Sequence, residues 1–475
     1  MIAEIYNNKD KNIDFKAKIF IIALSSSFSD IIQDKSDLEF FKKEKDLKKD
    51  LSYLKSSIEL KIFVSIPEDI IGNNGLEFAR KKASEAYALL KVNNFDEVEL
   101  YSNNPEFESA FFEGLLLSSY QFDKFKEEKE AYSLKKIYSH VASDEIVNVI
   151  KAVFWARDLV NEPPAHQTAT NLANEFERMA ADIDGLNVEV FNKIQIESLR
   201  MGGLLSINRG SVQAPTFSVI TWKPENAVNS KPIVLVGKGV VYDTGGINLK
   251  PTGFLETMKS DMSGSAVVSA LLKAVASNNL PVYVIALIPA TDNRPGGDAI
   301  VPGDVITMMS GKTVEIINTD AEGRMILADG LSYSNKFEPE LVFSVATLTG
   351  AAARIFGSRA FVSMGNTEKD LKSMSEASFI TGERCWELPF WDDFSDELKS
   401  SIADIKHLGG VNGGAITAGK FLENFTSAPY IHLDIAGVSF NEKAEDYKPI
   451  GGTGTGVRAL FRFIKKYISE KGTSS

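Results

Sequence analysis

One stretch of the chain reads Pro232-Ile233-Val234-Leu235-Val236-Gly237-Lys238-Gly239-Val240-Val241-Tyr242-Asp243-Thr244-Gly245-Gly246. Its first half is a short apolar run of the kind that forms a buried strand, and its second half sets charged side chains between glycines. Glycines let the backbone approach a ligand or metal closely. Because ligands gather at the carboxyl ends of strands in α/β sheets, this stretch predicts both a fold class and a site.

Further strand-like runs alternate with helical stretches in the same part of the chain. This alternation predicts an α/β fold with a mostly parallel or mixed central sheet flanked by helices. The runs are Pro281–Pro289, Val314–Asn318, Leu341–Thr347 and Tyr430–Ile435.

The length of 475 residues exceeds one compact core and favours two units. In residues 1–143 the apolar runs Ala17–Leu24 and Leu60–Ile66 alternate with charged stretches, which predicts a smaller N-terminal α/β domain of unclear role. Residues 144–164 predict a connecting helix, capped by Asp144 and ending before Pro163-Pro164. Residues 165–475 would form the larger domain, which contains the stretch quoted above.

Composition and charge exclude several classes of protein. The share of apolar residues, 44%, is that of an ordinary globular protein, and no apolar run has membrane-spanning length. A formal charge of −12 opposes binding to a phosphate backbone, so a nucleic-acid partner is not expected. The first residues do not resemble a secretory signal, and the single cysteine, Cys385, reads as a buried apolar side chain. We expect a cytoplasmic protein.

Two further clusters add charged side chains. The stretch Met258–Ser265 places Asp261 in a loop before a helix, and Asn318–Arg324 places Asp320 and Glu322 two residues apart. In an extended segment both carboxylates would face one side, with Arg324 continuing the alternation. A single Asp-x-Glu is usually a solvated turn. With Asp243, however, the clusters offer enough oxygen ligands for two divalent cations if the loops converge.

Together the clusters resemble, in order, the signatures of the leucine aminopeptidase (cytosol aminopeptidase) family of dinuclear metallopeptidases. The resemblance covers about residues 145–470 and includes His432–Gly437 and the glycine-rich run Gly451–Gly456. It implies an enzyme that hydrolyses N-terminal residues from peptides with a free N-terminus, using a water activated by two metals. It also implies a homohexamer. Ser263 and Ser265 depart from the family pattern, which has small residues there.

The family pattern assigns ligands for two divalent metal ions, Zn²⁺ or Mn²⁺. It implies that Lys238, Asp243, Asp261 and Glu322 hold the tightly bound ion, and that Asp243, Asp320 and Glu322 hold the exchangeable one. A lysine amine ligates a metal only when neutral, so the pKa of Lys238 would have to fall far below about 10.4.

The remaining roles are also implied by the resemblance. Lys250 would be a protonated catalytic residue that stabilises the oxyanion, and Arg324 would hold a bicarbonate ion that serves as the base. Met258, Thr347 and Gly350 would line the pocket that binds the N-terminal side chain of the substrate. Because these lining residues are small or apolar, the pocket suits Leu- or Met-like side chains.

Two alternatives stay open at this stage. One is a narrower enzyme, such as a Cys-Gly dipeptidase. The other is a binding role, since some relatives bind DNA as accessory regulators, although the acidic charge of this chain counts against it.

Overall fold

The computed structural model describes residues 2–6, 15–25 and 27–472. The chain divides into two compact units. The first comprises Met1–Phe154 with Ile380–Gly382 and Lys443–Ile450, and the second comprises Trp155–Phe379 with Glu383–Glu442 and Gly451–Ser475. In the described ranges, no helix is both long enough and apolar enough to cross a membrane.

The first unit is a small α/β unit. Its elements are β1 (Glu4–Tyr6), β2 (Ala17–Ala23), α1 (Lys35–Asp46), β3 (Leu51–Lys55), β4 (Leu60–Ile66), α2 (Gly72–Val92), β5 (Glu97–Ser102), α3 (Pro105–Ser118) and β6 (Lys136–Tyr138). The strand order in the sheet is β1-β6-β5-β2-β4-β3, parallel except for β3. The two strands predicted from apolar runs are confirmed as β2 and β4.

Helix α4 (Asp144–Asn161) crosses from one unit to the next, since the division falls after Phe154. It ends before the two prolines, as predicted. The predicted cap is wrong by one residue, because Asp144 is already helical and Ser143 Oγ accepts the hydrogen bond from the Ile146 amide at 3.4 Å.

The second unit carries the larger sheet. Its elements are α5 (Ala169–Ala181), β7 (Leu186–Phe191), α6 (Lys193–Ser198), α7 (Gly202–Asn208), β8 (Thr216–Trp222), β9 (Ile233–Gly237), β10 (Gly239–Asp243), α8 (Ser263–Ser277), β11 (Val284–Asn293), β12 (Val305–Thr307), β13 (Thr313–Glu315), α9 (Glu322–Ser334), β14 (Leu341–Ala346), α10 (Gly350–Phe356), β15 (Phe361–Gly365), α11 (Glu368–Ile380), β16 (Cys385–Glu387), β17 (Ile405–Lys406), α12 (Gly414–Glu423), β18 (Tyr430–Asp434), β19 (Phe440–Asn441), β20 (Gly451–Gly452) and α13 (Val457–Gly472). Short 3-10 helices span Met258–Met262, Thr319–Ala321, Asn335–Phe337 and Asp392–Leu398.

The central sheet has the strand order β16-β15-β18-β14-β9-β11-β8-β7, and β10 pairs with β11. Strands β18, β14, β9, β11 and β10 run parallel. Strand β7 pairs antiparallel with β8, β8 with β11 and β15 with β18, and β16 runs parallel to β15. The predicted mixed sheet and the α/β class are therefore confirmed. Because the inner strands are parallel, their carboxyl ends meet at one edge.

The run Val314–Asn318 is the exception among the predicted strands. Strand β13 ends at Glu315 and belongs to a small sheet with β12 and β17, so the longer strand predicted there is wrong. The reason is local: the side chain of Asn318 accepts a hydrogen bond from the Asp320 amide at 2.8 Å and starts a 3-10 turn.

Helix α8 packs closely against the strand ends that carry the site. Its apolar residues Val267, Val268, Leu271, Leu272 and Val275 are buried, and burial of such a side chain stabilises the fold by roughly 1.5–3 kcal/mol. At Gly264 an added Cβ would lie 2.1 Å from the Val345 carbonyl oxygen. Only glycine therefore lets the first turn of α8 come this near to β14.

Candidate metal centre

The carboxyl edge of the central sheet gathers the first site residues. Lys238 joins β9 to β10, Asp243 ends β10, Asn293 ends β11 and Thr347 follows β14. Lys238 and Asp243 are each less than 4% exposed. The parallel topology thus brings together residues that are far apart in sequence.

Helical turns supply the other carboxylates. Asp261 lies in the 3-10 turn that continues directly into α8, and Asp320 lies in the 3-10 turn before α9, whose first residue is Glu322. The prediction of an extended segment at Asp320 and Glu322 is therefore wrong. The carboxylates converge all the same, because single oxygens of Asp243, Asp320 and Glu322 lie within 4.8 Å of one another.

Lys238 lies between two of these carboxylates. Its Nζ is 2.7 Å from Asp261 Oδ2 and 2.8 Å from Glu322 Oε1. The lysine chain passes over the first turn of α9, where a Cβ on Gly323 would lie 2.5 Å from Lys238 Cε. The glycine of the Asn318–Arg324 stretch thus leaves room for Lys238.

Lys250 lies in the loop that follows β10 and contacts the other two carboxylates of the cluster. Its Nζ lies 2.8 Å from Asp243 Oδ2 and also contacts Asp320 Oδ1. Each of the four carboxylates is therefore paired with a lysine, Asp261 and Glu322 with Lys238, and Asp243 and Asp320 with Lys250.

Burial and repulsion shift the pKa values of the cluster. Burial, reinforced by the charge of Glu322, raises the pKa of Asp243 to about 7 and also raises the pKa of Asp320. Burial lowers the pKa of Lys238, but the charges of Asp261 and Glu322 outweigh it, so the net shift is upward. When its four carboxylates are all ionised, the cluster has more negative charge than its two lysines neutralise, and divalent cations would balance the excess.

The donor set fits divalent cations. Glu322 Oε2 is buried and has no hydrogen-bond partner among the described residues. Leaving a buried carboxylate oxygen unpaired costs on the order of 1–3 kcal/mol or more, and a cation would remove this cost. Carboxylate oxygens also suit hard metal ions, so these residues could hold two of them.

Arg324 and His407 are buried beside the carboxylate cluster and are hydrogen-bonded to each other. Arg324 Nη1 donates to the His407 carbonyl oxygen at 2.6 Å, whereas Arg324 Nε finds no partner among the described residues. Burial lowers the pKa of Arg324 to about 10. On the ring of His407, Nδ1 accepts from the Ile317 amide at 3.2 Å and Nε2 donates to the Asn318 carbonyl at 2.9 Å. Nδ1 also lies 3.2 Å from the Glu315 carbonyl oxygen. Burial and the charge of Arg324 lower the pKa of His407 and so favour the neutral ring.

Two residues of the site carry no motif and were missed in the sequence. Asn293 donates its amide to Asp243 Oδ1 at 2.8 Å and to the Thr319 carbonyl at 3.0 Å. The second is His407, whose carbonyl oxygen accepts from Arg324. A polar residue at the end of an apolar strand, as at Asn293, is the signal that could have found the first of them.

The residues predicted to line a substrate pocket lie near the cluster. Met258 starts the 3-10 turn that carries Asp261, Gly350 starts α10, and Thr347 lies between β14 and α10. Thr347 and Met258 are half-buried and Gly350 is exposed. The pocket stays a prediction.

The other sequence interpretations concern buried groups. His432 is a hydrogen-bonded core residue, with Nδ1 2.8 Å from Ser344 Oγ. Cys385 is buried, as predicted. The hydroxyls of Ser263 and Ser265 donate to backbone carbonyls of the preceding turn, so the departure from the family pattern leaves no hydroxyl unpaired.

Comparison with known proteins gives consistent matches. Residues 154–461 match the sequence profile of the cytosol aminopeptidase family, catalytic domain. The chain is 43% identical over 369 residues to a probable cytosol aminopeptidase of Geobacter sulfurreducens, covering 75% of this chain and 74% of the relative. It is 49% identical over 313 residues to that of Chlorobaculum tepidum, covering 65% and 62%. Among solved structures, the bottromycin maturation enzyme BotP in complex with Mn aligns with a TM-score of 0.85 and 28% identity, over 96% of this chain and 100% of that one.

Proposed function

Because the chain belongs to the cytosol aminopeptidase family and is thus a metallo-aminopeptidase, we propose that it uses two divalent cations to release Leu- or Met-like residues from the free N-terminus of peptides. One observation carries the proposal: oxygens of Asp243, Asp320 and Glu322 lie within 4.8 Å of one another at the carboxyl edge of the sheet. Lys238 and Asp261 extend this cluster inward.

The proposed ligands divide into a buried and an accessible set. Lys238, Asp243, Asp261 and Glu322 would hold the tightly bound ion, and Asp243, Asp320 and Glu322 the exchangeable one. The exposures support this division, since the side chain of Asp320 is 33% exposed and that of Asp261 only 7%. The proposed ions are Zn²⁺ or Mn²⁺, and the similar BotP structure is a complex with Mn. When bound, such a pair lowers the pKa of a water and polarises the scissile carbonyl.

The side chain of Lys238 would lose its proton as a metal binds, because an ammonium has no lone pair to give. Lys250 would keep its proton. An ammonium at Lys250 would stabilise the negative charge that develops on the carbonyl oxygen of the substrate. The two lysines would thus act in opposite protonation states.

Arg324 would hold the bicarbonate ion that serves as the base. A buried guanidinium whose Nε lacks a partner among the described residues suits a small anion with several acceptor oxygens. His407, through its carbonyl, holds the guanidinium in place.

Selectivity for a free N-terminus would follow from recognition of the α-amine at the cluster, with Asp261 as its carboxylate partner. An acylated amine has neither the charge nor the lone pair for this contact. Met258, Thr347 and Gly350 would surround the first side chain. We further propose that the protein is a homohexamer, as the family resemblance implies, and that it is cytoplasmic, in keeping with the name of the family.

Hydrolysis of leucine amide tests the proposal. After loading with Mn²⁺ or Zn²⁺, the enzyme should cleave the free amide and leave N-acetylleucine amide intact. Equal cleavage of both, or none of either with metal bound, would contradict it. A panel of dipeptides distinguishes broad turnover from a preference for Cys-Gly.

A further inference from the structure

We propose that Thr347 is a positioning residue, which orients Asp261 and Lys238 toward the tightly bound metal. The inference rests on the proposed function, since it concerns two of the proposed ligands. It assigns Thr347 a role that is separate from contact with the substrate side chain.

Both polar groups of Thr347 face the two proposed ligands. Its hydroxyl donates to Asp261 Oδ1 at 2.7 Å and lies 3.2 Å from the Asp261 carbonyl oxygen. Its own carbonyl accepts a hydrogen bond from Lys238 Nζ at 3.0 Å. One residue therefore contacts an aspartate 86 positions before it and a lysine 109 positions before it.

The backbone around these contacts is fixed independently. The amide of Lys238 donates to the Val345 carbonyl at 3.0 Å, and the Lys238 carbonyl accepts from the Ser265 amide at 2.9 Å. The end of β14, the start of α8 and the turn after β9 are thus tied together. The Thr347 side chain adds a contact to an arrangement whose backbone is already held.

The hydrogen bonds have a direction that suits metal ligation. Asp261 Oδ1 accepts from the Thr347 hydroxyl and also from Lys238 Nζ at 2.8 Å. Asp261 Oδ2 lies 2.7 Å from Lys238 Nζ but accepts no hydrogen bond from the described residues, so Oδ2 is the oxygen that a cation would meet. A neutral lysine amine has two N–H groups and one lone pair. Because the Thr347 carbonyl holds one N–H, it restricts the direction in which the lone pair points. A β-branched side chain such as threonine also has few rotamers, so the hydroxyl is held in place.

Two substitutions separate positioning from contact with substrate. Thr347→Val keeps the shape of the side chain and removes the hydroxyl, whereas Thr347→Ser keeps the hydroxyl and removes the methyl group. Neither changes the backbone carbonyl. If Thr347 acts only through its methyl group in the pocket, serine is the damaging change. If it positions Asp261, valine is.

The measurement is the dissociation constant of the tightly bound Mn²⁺ or Zn²⁺, obtained on the full chain by competition with a chelator. We expect Thr347→Val to weaken it roughly 10–100-fold and Thr347→Ser to leave it within about threefold of the wild type. Unchanged affinity in the valine variant, or an equal loss in both variants, would overturn the proposal.

Two further readouts keep the test decisive. The melting temperature of the metal-free protein should fall only slightly in the valine variant, because Lys238 Nζ still donates to Asp261 Oδ1 at 2.8 Å. A large drop for valine alone would show a structural role instead. In an Asp261→Asn background, Thr347→Val should add little further loss of affinity, because the charged partner is gone. Independent losses would contradict positioning. A wild type that binds metal but hydrolyses nothing would contradict the proposed function alone.

Discussion

Lys250 Nζ lies 2.8 Å from Asp243 Oδ2, so the proposed oxyanion donor contacts a proposed ligand of both metals. The same ammonium contacts Asp320. A cation bound at these two carboxylates would compete with Lys250 for their charge. The lysine would then be free to face a substrate carbonyl.

The Lys250→Ala variant should retain both metals and lose most of its turnover. Removing a preorganised donor to a developing oxyanion costs roughly 10²–10³-fold in kcat. Metal affinity should stay equal or rise, since the competing ammonium is gone. Metal content by mass spectrometry and kcat on leucine amide are the two measurements. Lys231→Ala, which removes a surface lysine paired with Glu338 at 3.1 Å, is the control. Metal loss in Lys250→Ala alone would reassign Lys250 to structure.

Asn293 contacts Asp243, one of the carboxylates proposed to bind both metal ions. Its amide donates to Asp243 Oδ1 at 2.8 Å and to the Thr319 carbonyl at 3.0 Å, which also ties Asp243 to the turn that carries Asp320. We expect Asn293→Ala to weaken metal binding roughly 10–100-fold, measured by chelator competition. Wild-type affinity in this variant would show that the amide does not position Asp243.

Local patterns predicted much of this molecule. The apolar runs gave β2 and β4 because a strand buried on both faces needs little more than apolar residues, and the alternation of elements gave the α/β class. The shape of the segment Asp320–Glu322 could not be read from an alternating pattern, because the side chain of Asn318 decides the turn.

Contacts between segments that are distant in sequence could not be predicted from local patterns. The hydroxyl of Thr347 meets Asp261 only because β14 and the turn before α8 are neighbours, and nothing in either segment encodes that pairing. Likewise, strand order follows from packing of the whole sheet. Clusters in the sequence and the family resemblance thus pointed to the charged residues of the candidate site, whereas the hydrogen bonds of Asn293, His407 and Thr347 to those residues could not be predicted.

Gly323 should be essential for metal binding. A Cβ at this position would lie 2.5 Å from Lys238 Cε and 2.8 Å from Nζ, so Gly323→Ala would displace the lysine from the cluster. We expect at least about a tenfold loss of affinity for the tightly bound metal, since a ligand would be mispositioned. Gly297→Ala is the matched control, because an added Cβ there meets nothing within 4 Å. Equal affinities in the two variants would show that Lys238 does not need this space.

His407 should make the metal-free protein sensitive to acid. Burial, together with the charge of Arg324, lowers the pKa of His407 to about 4. An unfolded chain has a histidine pKa of about 6.5, so between these values the unfolded state binds more protons. The stabilising contribution of neutral His407 is therefore complete above about pH 6.5 and is lost as the pH falls toward 4. This loss amounts to about 3 kcal/mol.

Denaturation in urea with a chelator present, at about pH 7.5 and about pH 4.5, measures this loss for the wild type and for His407→Gln. Glutamine cannot protonate in this range, so the variant should lose less free energy of unfolding than the wild type on acidification. The buried His432, whose pKa is lowered to about 3 by burial, adds a loss of the same sign in both proteins. His166 is exposed, so His166→Gln is the control for the histidine-to-glutamine substitution itself. An identical pH dependence for His407→Gln and His166→Gln would contradict a neutral, buried His407, since only a histidine that resists protonation in the folded state links stability to pH in this way.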